Sequence, residues 1–215
     1  SGRIKKDFSC LDSFWVLKGN EELVRQRVKK QKITIKKIRK LRKWARMAGM
    51  LPYLRGIFIN GTLAMKRAGA DSDWDVLLVM KKDRIWAGRL FVSLFFHIFF
   101  KRRHHDKIKD RFCLNHFLSE DGLVLEENSA YSSSEMIFST PIFGKEVFDR
   151  FIQLNEGQMK KFKFNYERED LNDFFLVRQR KAEKFLKKIW EVFLEWSFLG
   201  NLINRVSRRL MIMKI

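Results

Sequence analysis

The chain has 215 residues, 46% hydrophobic and 14% aromatic, which is enough to bury a core unaided and too aromatic for a disordered chain. Two Pro and 11 Gly exclude collagen-like and linker-like sequence. Lys and Arg number 45 against 25 Asp and Glu, a net charge of +20, which favours nucleic acid, nucleotides or an anionic surface as partner.

Cys10 and Cys113 stand too far apart in sequence for a disulfide framework or a zinc site, so a reducing, cytoplasmic setting is expected. Ser1 to Lys6 carry no apolar signal core.

Residues 21–46 hold twelve Lys or Arg and two Glu. Leu23, Val28, Ile35, Ile38, Leu41 and Trp44 recur mostly at helical spacing. The pattern predicts one or two amphipathic helices with a basic outer face, stopped by Gly49 and Pro52. Residues 56–60 (GIFIN) read as a buried strand, Gly61-Thr62 as a tight turn, and 63–68 as a short helix. Trp74 to Met80 is nearly continuous in apolar residues, the mark of a central strand.

Residues 84–103 predict an apolar helix closed by Lys101, Arg102 and Arg103, cations that suit its C-terminal dipole. Its apolar run, Ile85 to Phe100, is too short to span a bilayer and is broken by Arg89 and His97, so neither a membrane span nor a membrane partner is expected. His97 reads as a satisfied core histidine. His104-His105-Asp106 reads as an exposed loop rather than a metal site. Arg111 to Ser119 is a third strand, with His116 as a packed strand residue. Residues 123–145 are mixed, with Ser132 to Glu135 as a helix cap, and 145–154 form a helix. From about 168 to 210, an apolar stripe through Phe175, Ala182, Phe185, Ile189, Val192, Phe193, Trp196, Leu199, Ile203, Val206 and Leu210 predicts helix, and its simplest reading is core packing. Gly200 is the expected point of a kink or split. The alternative for this stripe is a helix lying on a partner or a membrane surface.

The expected fold class is therefore α/β: a small mixed sheet flanked by N- and C-terminal helices. The divisions are a basic helical segment (1–53), a core (54–120) and a helical C-terminal region (121–215).

The segment Asn60 to Val79, NGTLAMKRAGADSDWDVLLV, concentrates the chemistry. Gly61 lets backbone N–H groups approach a phosphate, the next helix start adds a favourable dipole, and the Thr62 hydroxyl can donate. Asp73 and Asp75 point to one face of an extended strand. Two carboxylates side by side call for a cation, and Mg²⁺ prefers such oxygen ligands together with substrate phosphates. Two ions could clamp the attacking and leaving oxygens of a displacement at phosphorus. A calcium loop is excluded, because Val76 and Lys82 stand where its Gly and Glu belong.

Gly61-Thr62 followed by Asp73-x-Asp75 resembles the signature of the nucleotidyltransferase superfamily, with a DNA polymerase β-like fold. The flanks Phe14 to Gly19, Ser72 to Asp75, Arg84-Ile85-Trp86, Arg102-Arg103, Cys113-Leu114-Asn115, Pro141 to Gly144 and Phe151-Ile152-x-x-Asn155 resemble a bacterial group of nucleotidyltransferase-domain proteins. The resemblance covers about residues 10–165. It implies Mg²⁺-dependent transfer of a nucleoside monophosphate from an NTP to an acceptor hydroxyl, with nucleic acid as one acceptor. Gly61 and Thr62 would hold the nucleotide; Asp73 and Asp75 would be the catalytic, metal-binding pair. Such proteins usually carry a third acid on a later strand. Here Asn115 and His116 stand at that place, with Glu120 or Asp121 as substitutes if the strand runs on. The alternative is a catalytically silent module of the same fold that binds nucleotide or RNA.

Overall fold

The structure is a computed structural model describing residues 7–126, 129–162 and 175–212. A two-stranded antiparallel hairpin, β1 (Phe8–Leu11) and β2 (Phe14–Leu17), precedes α1 (Glu21–Ala48), a single 28-residue helix. Then come β3 (Leu54–Ile59), α2 (Gly61–Ala64), β4 (Trp74–Met80), α3 (Ile85–Ile98) and β5 (Phe112–Ser119). They are followed by α4 (Ala130–Phe138), β6 (Thr140–Phe143), α5 (Lys145–Phe162), α6 (Lys181–Trp196) and α7 (Leu199–Ile212).

The main sheet has four strands in the order β5-β4-β3-β6. β4 pairs parallel with β5 and antiparallel with β3; β3 pairs antiparallel with β6. The chain is thus mixed α/β. Its fourth strand comes from 140–143, beyond the segment expected to form the core.

Strand alternation divides the core into two layers. Ile57, Ile59, Trp74, Val76 and Leu78 meet Ile38, Leu41 and Ala45 of α1 and Val92 and Phe96 of α3. Phe58, Leu77 and Val79 meet Met136 of α4 and Phe148 and Phe151 of α5. Because both faces are covered, β4 reads as one unbroken apolar run.

Several local expectations are corrected. α3 ends at Ile98, and Phe100 (φ +54°) turns the chain away. Lys101 to Arg103 therefore leave the helix, and Arg102 bridges to Phe112 instead of capping a dipole. His97 is exposed, with Nδ1 3.2 Å from His104 Nε2. The cap of α4 is Ser129 with Ser132, not Ser132 with Glu135. The C-terminal helix splits at Phe198 (φ +55°), while Gly200 lies inside α7. Gly200 serves close packing: a Cβ there would sit 2.5 Å from Tyr53 Oη. The start of the expected helix, 168–174, falls outside the described residues.

The largest correction concerns the C-terminal stripe. Phe185, Ile189, Val192, Phe193, Trp196, Leu199, Val206 and Leu210 are exposed rather than core, whereas Phe175 and Ile203 do pack against core clusters. The α6–α7 hairpin docks through a mainly polar face, to which Leu194 and Ile203 add a small apolar contact with Tyr53 and Ala87. Glu191 takes a two-pronged contact from Arg55 (2.8 Å on each oxygen) and the Tyr53 N–H (2.8 Å). Glu195 accepts from Arg84 (2.7 Å) and Lys81 (3.0 Å), and Glu183 from Arg46 (3.2 Å). Asn204 accepts from the Ala87 N–H at 3.0 Å.

Lys187 sits in the middle of this latch. Its Nζ donates to the Leu54 carbonyl and lies 5.3 Å from the Phe143 ring centre. Burial, then the nearby Arg55, pushes its pKa down to about 8. The unfolded chain therefore binds more protons than the folded one between pH 8 and 10.5, and stability rises with pH across that window. Urea denaturation at successive pH values is expected to show a gain of up to about 3 kcal/mol, at about 1.4 kcal/mol per pKa unit. Lys187→Met is expected to flatten that gain.

Candidate active site

The site forms where β3 ends and β4 begins. The strands run antiparallel, with Ile59 opposite Val76, so the end of one meets the start of the other. The Asn60 N–H donates to the Asp75 carbonyl at 2.9 Å. Ser139 Oγ holds Asn60 from behind, donating to its Oδ1 at 2.8 Å. The chain then enters α2 at Gly61 with φ +59°, a conformation that L side chains disfavour. Space forbids a side chain as well, since a Cβ on Gly61 would lie 2.7 Å from Asp75 Oδ2. Backbone and carboxylate are in contact with nothing between them.

Asp73 immediately precedes β4, and Asp75 is its second residue. Ligand atoms of Asp73, Asp75 and Cys113 all lie within 4.8 Å of one another. Cys113 arrives on β5, paired in parallel with Asp75. Gly61, Asp73 and Asp75 are therefore brought together, and exposed Thr62 follows in the first turn of α2, where helix N–H groups lack intrahelical partners. The arrangement is braced from α1. Thr34 Oγ1 accepts from the Ala68 N–H (3.1 Å), Arg27 donates to the Met65 carbonyl (3.1 Å), and buried Lys37 donates to the Ser72 carbonyl (2.8 Å). Lys37 also pairs with Asp110 at 2.8 Å, which ties this loop to the start of β5.

Burial and the neighbouring Asp73 raise the Asp75 carboxyl above its ordinary range. Burial and Asp75 likewise push the Cys113 thiol up. Arg103 supplies the counter-charge: its Nη1 lies 2.6 Å from Asp73 Oδ2 and 3.7 Å from Cys113 Sγ. Asp73 in turn raises the Arg103 guanidinium further, so it stays cationic. Of the basic run after α3, Arg103 is thus the residue that meets the site's acids.

Glu120 and Asp121 do not supply a third acid. β4 and β5 run parallel, so residues after Ser119 lie past Met80, at the far end of the strand from Asp75. Five residues of strand put that end roughly 16 Å away. There Glu120 faces Arg55 (3.4 Å), and Asp121 is bonded to Ser119. A bulge also shifts β5: Asp75 pairs with Cys113, but Leu77 pairs with His116. The extra residue brings His116 to the site's face of the sheet, exposed rather than packed.

The carboxyl that sequence reading missed is Glu135, on α4. Burial, then the Asp75 charge, raises it above its ordinary range, while His116 acts the other way. Glu135 and His116 line a cavity of about 410 Å³ together with Asn60, Leu77, Tyr131 and Met136. That volume lies within the range of small-ligand sites. Glu135 stands sixty residues beyond Asp75, on an element visible only as a mixed segment, and nothing in its local sequence marks it.

The donor set suits a hard cation better than a soft one. A raised thiol is protonated at neutral pH and coordinates weakly, whereas the thiolate is what binds metal. The carboxylates remain, and carboxylate oxygens are the kind of ligand that hard cations such as Mg²⁺ prefer. The chain matches no family model, no curated protein and no solved structure.

The raised Asp75 carboxyl has a defined sign. Below the ordinary carboxyl range it is neutral in both states and costs nothing. As pH rises, the unfolded chain loses the proton first, so stability falls through the raised range. Asp75→Asn is therefore expected to raise Tm at pH 7 in chelator, by about 2–4 °C if the gain is about 1 kcal/mol. The gain should vanish near pH 3, where the wild-type carboxyl is already protonated, and scanning calorimetry at the two pH values checks both.

Proposed function

We propose that this chain is a Mg²⁺-dependent nucleotidyltransferase, built on a nucleotidyltransferase core comprising β3, β4, β5 and α2. The observation that carries the reading is the contact of Gly61 with Asp75 inside a cluster that includes Asp73. The first turn of α2 and the Thr62 hydroxyl receive the triphosphate. Asp73 and Asp75 would hold the metal, and Glu135, which feels the Asp75 charge from α4, lines the adjoining cavity and adds to the acidic field around it. Bound Mg²⁺ supplies charge to stabilise the phosphorus centre and the departing pyrophosphate. The acceptor hydroxyl oxygen would bond to the α-phosphorus, its proton passing to water, as the bond from that phosphorus to the bridging oxygen breaks and pyrophosphate leaves with the bridge oxygen.

Arg103 must release Asp73 as the cation enters. It is 43% exposed at its side chain, so it can swing into solvent. The basic outer face of α1 suits a nucleic-acid acceptor, and a cleft lined by Arg39, Arg42, Lys43 and Arg46 extends it.

One observation favours a silent nucleotide-binding module instead: the 2.6 Å ion pair that already satisfies Asp73. Incubation with labelled NTPs and Mg²⁺ separates the two. Wild type is expected to transfer label, and Asp73→Ala/Asp75→Ala to lose transfer. Glu135→Gln is expected to slow transfer by about 100-fold, the scale of losing one charge-stabilising group. Nucleotide bound by wild type without any transfer, to nucleic acid or to the protein itself, would establish the silent module.

A further inference from the structure

Independently of that reading, we infer that the outer face of the α6–α7 hairpin seats on an anionic lipid surface, lying in the interface without crossing it. Among the described residues no helix is long and apolar enough to cross a membrane. A helix that lies in the interface has different requirements: a large amphipathic contrast, aromatic and aliphatic side chains on one side, and Lys or Arg beside them.

Both helices meet those requirements. On α6 the docking positions, Glu183, Lys187, Glu191 and Glu195, recur every four residues and face the protein. The opposite side carries Phe185, Ile189, Val192 and Trp196 into solvent. On α7, Leu202, Val206 and Leu210 continue the exposed apolar face. Trp196 (83% exposed) and Phe198 (78%) stand at the turn between the helices, at the tip of the hairpin. Aromatic rings are favoured at the headgroup level, where one side is apolar and the other wet.

Charge selects the occupant. Each acid of α6 is used in docking, and α7 has none. The exposed ionic groups of the two helices are Lys181, Lys184 and Lys188 on α6 and Arg205, Arg208 and Arg209 on α7. A second copy seated on this face would bring two cationic rims together. An anionic lipid surface would neutralise the rim and cover the apolar face in one contact, with each basic residue contributing.

The test is flotation of the full chain with phosphatidylcholine vesicles, with and without phosphatidylglycerol, at low and high salt. Wild type is expected to float with the anionic vesicles at low salt, at least about tenfold more than with phosphatidylcholine alone, and less at high salt. Trp196→Ser/Phe198→Ser and Arg205→Glu/Arg208→Glu/Arg209→Glu should each weaken binding by about tenfold or more while circular dichroism and Tm stay unchanged. Charge reversal on α1, Arg25→Glu/Lys29→Glu/Lys32→Glu, should leave most of the binding in place. Three results would overturn the inference: no flotation with anionic vesicles at low salt, binding lost through the α1 variant but kept by both hairpin variants, or a dimer in sedimentation velocity that Trp196→Ser/Phe198→Ser dissociates.

Discussion

The contact between Gly61 and Asp75 is the constraint around which the rest of the site is arranged. A peptide backbone and a carboxylate can approach this closely only where no side chain intervenes, and a Cβ on Gly61 would lie 2.7 Å from Asp75 Oδ2. The antiparallel register of β3 and β4 sets the position, and the Asn60 N–H to Asp75 carbonyl bond fixes it. α1 then clamps the connection from α2 to β4 through Arg27, Thr34 and Lys37. A basic helix therefore has an internal task besides its outer surface. Lys37 can be buried because its ammonium donates to both the Ser72 carbonyl and Asp110.

The electrostatics of the site run against local stability. Asp75 is raised by burial and by Asp73, and Glu135 is raised by burial and by Asp75. A fold selected for stability alone would not gather acids in this way, since like charges in one pocket cannot all ionise cheaply. Arg103 relieves only Asp73, from a partly exposed position. The remaining negative charge stands out in a chain whose net charge is +20. A binding cation would recover what the cluster costs, which is why strained acid groups point to ligands more often than to structure.

Much of the sheet was legible in the sequence because β3, β4 and β5 are apolar runs bounded by turn residues. α1 was legible from its periodicity. The short strands β1, β2 and β6 were not, because four residues carry too little pattern. The bulge in β5 was invisible because it depends on the partner strand, yet it decides that His116 faces the site. Asp73 and Asp75 could be read because they are neighbours in sequence, whereas Glu135 comes under the influence of Asp75 only through the tertiary fold. The C-terminal stripe shows a different limit. Periodicity establishes that a helix has two faces, but not which of them meets the core. A signal was nevertheless present: Glu183, Lys187, Glu191 and Glu195 form an alternative series at four-residue steps, one of charges.

That series explains how an inverted helix can be held. The start of β3 and the first turn of α3 present Arg55, Arg84, the Tyr53 N–H and the Ala87 N–H, groups that apolar side chains could not satisfy. Docking the apolar stripe there would strand buried donors, at about 1–3 kcal/mol each and more for the guanidinium groups. Docking the polar face satisfies them, and the same choice sends the aromatic stripe outward. The chemistry of the inner contact and that of the exposed face are thus one decision. Removing the acids from α6 would leave Arg55 and Arg84 without their carboxylates, so the outer face cannot be turned inward without losing the latch.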